Sequence, residues 1–175
     1  MLPAIMAMSC NNNSGKSNLT ETESDSVSKP ETVIDIISYT NNTEIDFGQL
    51  ASRGGANSLV REYAEMMVDQ HKKAQEDLDS IVGENLNEPE SVELNEMHQR
   101  IRDSLNFLSG QTFDSLYIQS QIKMHSSTID MFEAISDTTQ DQNLKNFVDE
   151  YLPKVKMHRM KADSIANMLN IEMDV

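Results

Sequence analysis

Residues 113–133, FDSLYIQSQIKMHSSTIDMFE, decide how the rest of the chain reads. Ile118, Ile122, His125, Ile129 and Phe132 follow one another at steps of four, three, four and three. A helix completes a turn every 3.6 residues, so this spacing gathers five side chains into one stripe facing a core. A histidine sits in the middle of that stripe. Two other long stretches repeat the device. Val60, Ala64, Met67, His71, Ala74 and Leu78 form one seam, with His71 inside it. Val148, Tyr151, Val155, His158, Ala162 and Ile165 form another, with His158 inside it. A fourth stretch, Val33, Ile37, Thr40, Glu44, Phe47 and Ala51, places a glutamate on its buried line.

These seams predict long helices over about 31–53, 58–82, 112–136 and 142–169, and a shorter one over about 91–108. Gly54 and Gly55 end the first, Asn57 or Ser58 caps the second, and Ser109 with Gly110 ends the short one. Pro153 lies inside the last seam. It removes a backbone donor and leaves the Asp149 carbonyl unpaired, which predicts a kink just before His158. The alternative is a new helix opening at Pro153; the unbroken stripe favours one helix. Tight turns near Gly54 and Thr138 join antiparallel neighbours, and the short helix returns the chain along the bundle. The predicted fold is therefore all-α: a ferritin-like up-down-down-up four-helix bundle with 91–108 as a short crossover helix.

Composition bounds the function. Hydrophobic residues make up 38% of 175, which predicts one water-soluble domain. The formal net charge of -15 repels phosphate backbones, so no nucleic-acid partner is expected. A single cysteine, Cys10, excludes an intrachain disulfide framework. Residues 1–10, MLPAIMAMSC, are apolar and end in a small residue followed by cysteine, like a bacterial lipoprotein signal whose cysteine carries the lipid. Ala7, Met8 and the lack of a basic residue before Cys10 depart from that pattern. Residues 11–30 are almost entirely Asn, Ser, Thr, Glu and Asp, the composition of a disordered tether, and Pro30 suits a helix start. The expected organisation is a signal segment over 1–10, a tether over 11–30 and a bundle over 31–170. The expected location is the bacterial envelope, facing the periplasm and held to a membrane, the outer one, by a lipid on Cys10. A protein partner is not specified.

The chemistry is concentrated in the four seam breaks. Counted from the helix ends at 1.5 Å per residue, Glu44, His71, His125 and His158 lie at levels that agree within roughly 6 Å. Three imidazoles and a carboxylate in one layer predict a site for one divalent metal ion: zinc, iron or copper. The competing reading is a non-catalytic structural or interaction domain whose buried histidines are satisfied by carbonyls, hydroxyls or a carboxylate, with no metal. A di-iron centre needs Glu-x-x-His on two helices. Val68, Ile122 and Val155 stand three before the histidines, so any centre holds a single metal. His98 falls on the crossover helix, nearer the other end, and reads as structural. Met67, one turn before His71, is a gap-filler before it is a copper ligand. No Ser-His-Asp, Cys-His or glycine-rich phosphate pattern appears, so binding is favoured over catalysis.

Four segments carry a family resemblance: EIDFGQLA (44–51), MMVDQHKKAQEDL (66–78), LSGQTFDSLYIQSQIKMH (108–125) and LPKVKMH (152–158). Together they resemble the bacterial family called domain of unknown function 4142, over about 33–169. Its members are often labelled outer membrane proteins and grouped with ferritin-like folds. The resemblance implies a fold and an envelope location, and no established activity. Gly55 to Ser58 stand where many relatives carry a polar, proline-containing turn.

Overall fold

Thr32 opens the first helix with a capping box: its hydroxyl accepts from the Asp35 amide, and the Asp35 carboxylate accepts from the Thr32 amide at 2.9 Å. The expected start near Pro30 lies outside the described residues. The computed structural model describes residues 32–82 and 96–173. Those residues form five helices: α1 (Val33–Gly54), α2 (Ser58–Val82), α3 (Glu96–Phe107), α4 (Gly110–Thr138) and α5 (Gln142–Leu169). No strand occurs among the described residues. The architecture is an all-helical bundle.

The caps follow the expected chemistry. The Asn57 side chain accepts from the Leu59 amide at 2.9 Å, and Asp141 accepts from the amides of Asn143 and Leu144. Pro153 lies inside a continuous α5, so it does not open a separate helix. Helix α4 begins two residues earlier and ends two later than its periodicity suggested. The first five residues of the expected crossover helix lie outside the described residues; α3 begins at Glu96.

Two hairpins dominate the packing. Across α1 and α2, Asn41 meets His71 and Ser38 meets Gln75. A side chain at Gly48 would strike Val68 Cγ2 at 2.8 Å and the Ala64 carbonyl at 3.0 Å, so glycine lets these two helices approach closely. Across α4 and α5, the Lys145 ammonium donates to the Ser136 carbonyl and Arg159 donates to the Ile122 carbonyl. Between the hairpins, Tyr63 packs edge-on to Tyr117 and Tyr151 donates to Asp77 at 2.6 Å.

Helix α3 docks on α1. The Tyr39 hydroxyl and His98 Nδ1 are 2.6 Å apart, and Arg102 pairs with Asp46 at 2.7 Å. His98 thus packs against α1, edge-on to Phe47.

The segment GQTFDSLY explains itself in this packing. Phe113 is buried against Gly54, where an added Cβ would meet its ring at 3.0 Å. Both Asp114 carboxylate oxygens accept backbone amides, from Ala56 and Asn57, at 2.9 Å each. Asp114 therefore places its charge at the start of α2 and fixes the α1–α2 turn, rather than serving the dipole of its own helix. Tyr117 fills the core beneath.

The buried apolar residues fall into two clusters. One contains Phe47, Met67, Phe113, Tyr117 and Ile118; the other contains Ile37, Leu78, Phe132, Phe147 and Val155. Each of the four long helices contributes to both. The layer between them is polar, and it holds the candidate site.

Candidate metal centre

One histidine enters this layer from each of α2, α4 and α5. His71, His125 and His158 are each 6% exposed or less. Their ring centroids are 5.7 Å (His71–His125), 5.5 Å (His71–His158) and 5.2 Å (His125–His158) apart. One nitrogen from each ring lies within 4.8 Å of the corresponding nitrogens of the other two. The three imidazoles expected at one level do converge.

Each ring has its outer nitrogen engaged by a carbonyl-type oxygen. His125 Nδ1 lies 2.8 Å from the Gln121 carbonyl, which only accepts, so Nδ1 carries the proton. His71 Nδ1 lies 3.1 Å from Asn41 Oδ1. That amide is oriented by a relay: Asn41 Nδ2 points to Gln75 Oε1, and Gln75 Nε2 donates to the Asp79 carboxylate at 2.7 Å. A carboxylate at the end of the relay makes His71 Nδ1 the donor. His158 Nε2 donates to Gln70 Oε1 at 2.7 Å.

The inner nitrogens face one another. His71 Nε2 is buried with no hydrogen-bond partner. His125 Nε2 and His158 Nδ1 lie 3.2 Å apart, where a proton on one of them makes a hydrogen bond. A cation can take the place of that proton and would also partner His71 Nε2. Three inner nitrogens around one point, each backed by an oxygen on its far side, is the arrangement of a metal-binding imidazole set.

Electrostatics keep two of the rings, those of His71 and His158, in the ligating form. Burial drives the His71 pKa well below its usual value, and neighbouring His125 and His158 push the same way. His158 is lowered to about 3, by burial first, then by the charges of His125, Lys161 and Lys154. Both rings are therefore neutral at physiological pH.

Glu44 reaches the layer but not the group. It is 1% exposed, its Oε1 lies 3.6 Å from His125 Nδ1, and its Oε2 accepts from Gln121 Nε2 at 2.8 Å. Its carboxylate thus stands on the outer, protonated side of His125. Burial raises its pKa, opposed by His125 and by the Gln121 hydrogen bond. The four-ligand set expected from the sequence resolves into three grouped imidazoles and one carboxylate behind the middle one. The reason is rotational: α1 carries Glu44 at the right height but on the Nδ1 side of the His125 ring.

Several residues of the candidate site are not marked by the seams. Asn41, Gln70 and Gln121 orient the three rings, and Tyr63 donates toward Gln121 Oε1 and the His158 carbonyl. A signal did exist for two of them. Gln121 stands one turn before His125, and Asn41 one turn before Glu44, so both are polar residues at buried helical positions. Gln70 left no such mark, since its place beside His158 depends on how α2 meets α5.

Residues 16–165 match the sequence model of a family described as Domain of unknown function (DUF4142). The chain belongs to this family. The match begins before the range of about 33–169 over which the four segments show the resemblance, and it takes in all four seams. Within this DUF4142 domain, the histidines of D-x-H and of L-P-x-x-x-x-H, and the one that ends LSGQTFDSLYIQSQIKMH, are the three that meet. No curated protein and no solved structure matches the chain.

Proposed function

We propose that this DUF4142 protein is a bacterial envelope lipoprotein whose ferritin-like bundle binds one divalent metal ion through His71, His125 and His158. One observation carries the metal reading. Three buried imidazoles each bring a nitrogen within 4.8 Å of the other two, and His71 Nε2 has no other partner there. Imidazole ligation suits zinc, copper and iron. Glu44 takes the role of the orienting carboxylate behind a ligating histidine, His125.

The ferritin-like, up-down-down-up arrangement is supported by the order of contacts. Tyr63 meets Tyr117 and His71 meets His125, so numbering rises together along α2 and α4. Gln70 meets His158 and Asp77 meets Tyr151, so it runs oppositely along α2 and α5.

Metal analysis of untagged protein is the direct test, joined by melting curves with and without added zinc. A ligand that binds only the folded state raises the melting temperature by mass action. His71→Ala, His125→Ala and His158→Ala should each abolish that rise, whereas His98→Ala should preserve it. Less than stoichiometric metal together with no zinc-dependent rise would leave the layer as a structural polar core in an interaction domain.

The envelope reading rests on Cys10 following an apolar segment and preceding a polar tether. Cys10 lies outside the described residues. None of the described helices is long and apolar enough to cross a membrane. Mass spectrometry of the protein made in its own host from the full gene should find a lipid on Cys10. An unmodified thiol would remove the anchor and with it the outer-membrane assignment.

A further inference from the structure

A cavity of about 20 Å³ lies against His71 and His158. A water needs about 10–15 Å³ measured this way, so the space takes a water or another ligand of few atoms. Its walls are apolar: Ile37, Ala74, Phe132, Phe147 and Val155 from the cluster below the histidine layer. The polar side chains around it are already occupied. Asn41 and Gln70 hold the outer nitrogens of His71 and His158, Tyr151 donates to Asp77, and Lys154 pairs with Glu150 at 2.8 Å over the Tyr151 ring.

Three imidazoles leave a tetrahedral metal one open position. They also leave its charge uncancelled, because imidazoles bring no negative charge to a divalent ion that would stand beside an apolar cavity. Isolated buried charge is costly, and a single anion at the open position reduces it.

We propose that this cavity is the ligand pocket of the three-histidine centre, and that it admits a small monoanion of two or three atoms in exchange for metal-bound water. The inference rests on the metal reading above. The probe is azide, added to the full chain loaded with cobalt(II), whose visible absorption bands report changes in its ligands. In the unaltered protein azide should shift those bands saturably. Ala74→Val and Val155→Ile place extra methyl or methylene groups in the cavity. Both should retain the cobalt bands and weaken azide binding tenfold or more. Two conservative variants are used so that one misfolded protein, detected by its melting curve, does not remove the comparison. Cobalt bands that ignore azide would overturn the pocket, as would equal azide affinity in the unaltered and filled proteins. Absence of cobalt bands before any azide is added would instead mean that the metal reading itself has failed, and the pocket with it.

Discussion

His71 Nε2 is one of the buried side-chain atoms that lack a hydrogen-bond partner. A buried polar atom without a partner costs about 1–3 kcal/mol, and such atoms are rare in folded proteins. Glu44 raises a related question, because its carboxylate is buried and its pKa is pushed up by that burial. Glu44→Gln keeps the size of the side chain and removes the charge. Two opposite consequences follow. The metal-free variant should melt at a higher temperature, since an incompletely compensated buried charge is gone. Its metal affinity should fall about 10–100-fold, the usual effect of losing a carboxylate behind a ligating histidine. Calorimetric titration with zinc and melting curves in chelator measure the two effects separately. Equal metal affinity in both proteins would mean that Glu44 does not act through His125.

Helix α1 and helix α2 approach closely at Gly48, and the relay that orients His71 crosses this same pair of helices. Gly48→Ala improves helix propensity by about 1 kcal/mol in isolation. Here the added methyl meets Val68 Cγ2 at 2.8 Å and the Ala64 carbonyl at 3.0 Å. Val68 can rotate, but the backbone oxygen moves only if the helices part. Overpacking of this kind costs about 1–3 kcal/mol, so the net effect should be destabilising. Because Asn41 and His71 belong to the separating helices, zinc affinity should fall as well. Thermal melting and zinc titration of Gly48→Ala check both; an unchanged or raised melting temperature would show that the helix interface yields freely.

Acid should unfold the metal-free bundle through its histidines. Unfolded imidazoles take up protons near pH 6.5. His71 and His158 resist protonation while folded, so the unfolded state binds more protons as pH falls below about 6.5. Stability is therefore lost with decreasing pH from there, and for His158 the loss continues down to about 3. Glu44 acts in the opposite sense. Its folded pKa is raised, so its unfavourable contribution at neutral pH is relieved as pH falls through that raised value. Two histidines outweigh one glutamate, and the melting temperature in chelator should decline steadily from pH 7 to 5. A rise over that interval would mean that Glu44, not the imidazoles, governs the acid response.

Helix number, helix faces and the common level of the four polar seam residues were all legible in the sequence. They follow from local rules: a turn every 3.6 residues, a fixed rise along the axis, and the break made by a polar residue in an apolar stripe. Those rules locate His71, His125, His158 and Glu44 in height and in burial. They say nothing about which ring nitrogen points inward. That was decided by contacts between residues far apart in the chain, such as Asn41 with His71, Gln70 with His158 and Glu44 with Gln121. Side-chain rotation and the crossing of the helices set those contacts, and neither is encoded in the spacing of one seam. For the same reason Glu44 read as a fourth ligand from its level alone, while the folded bundle sets it behind His125.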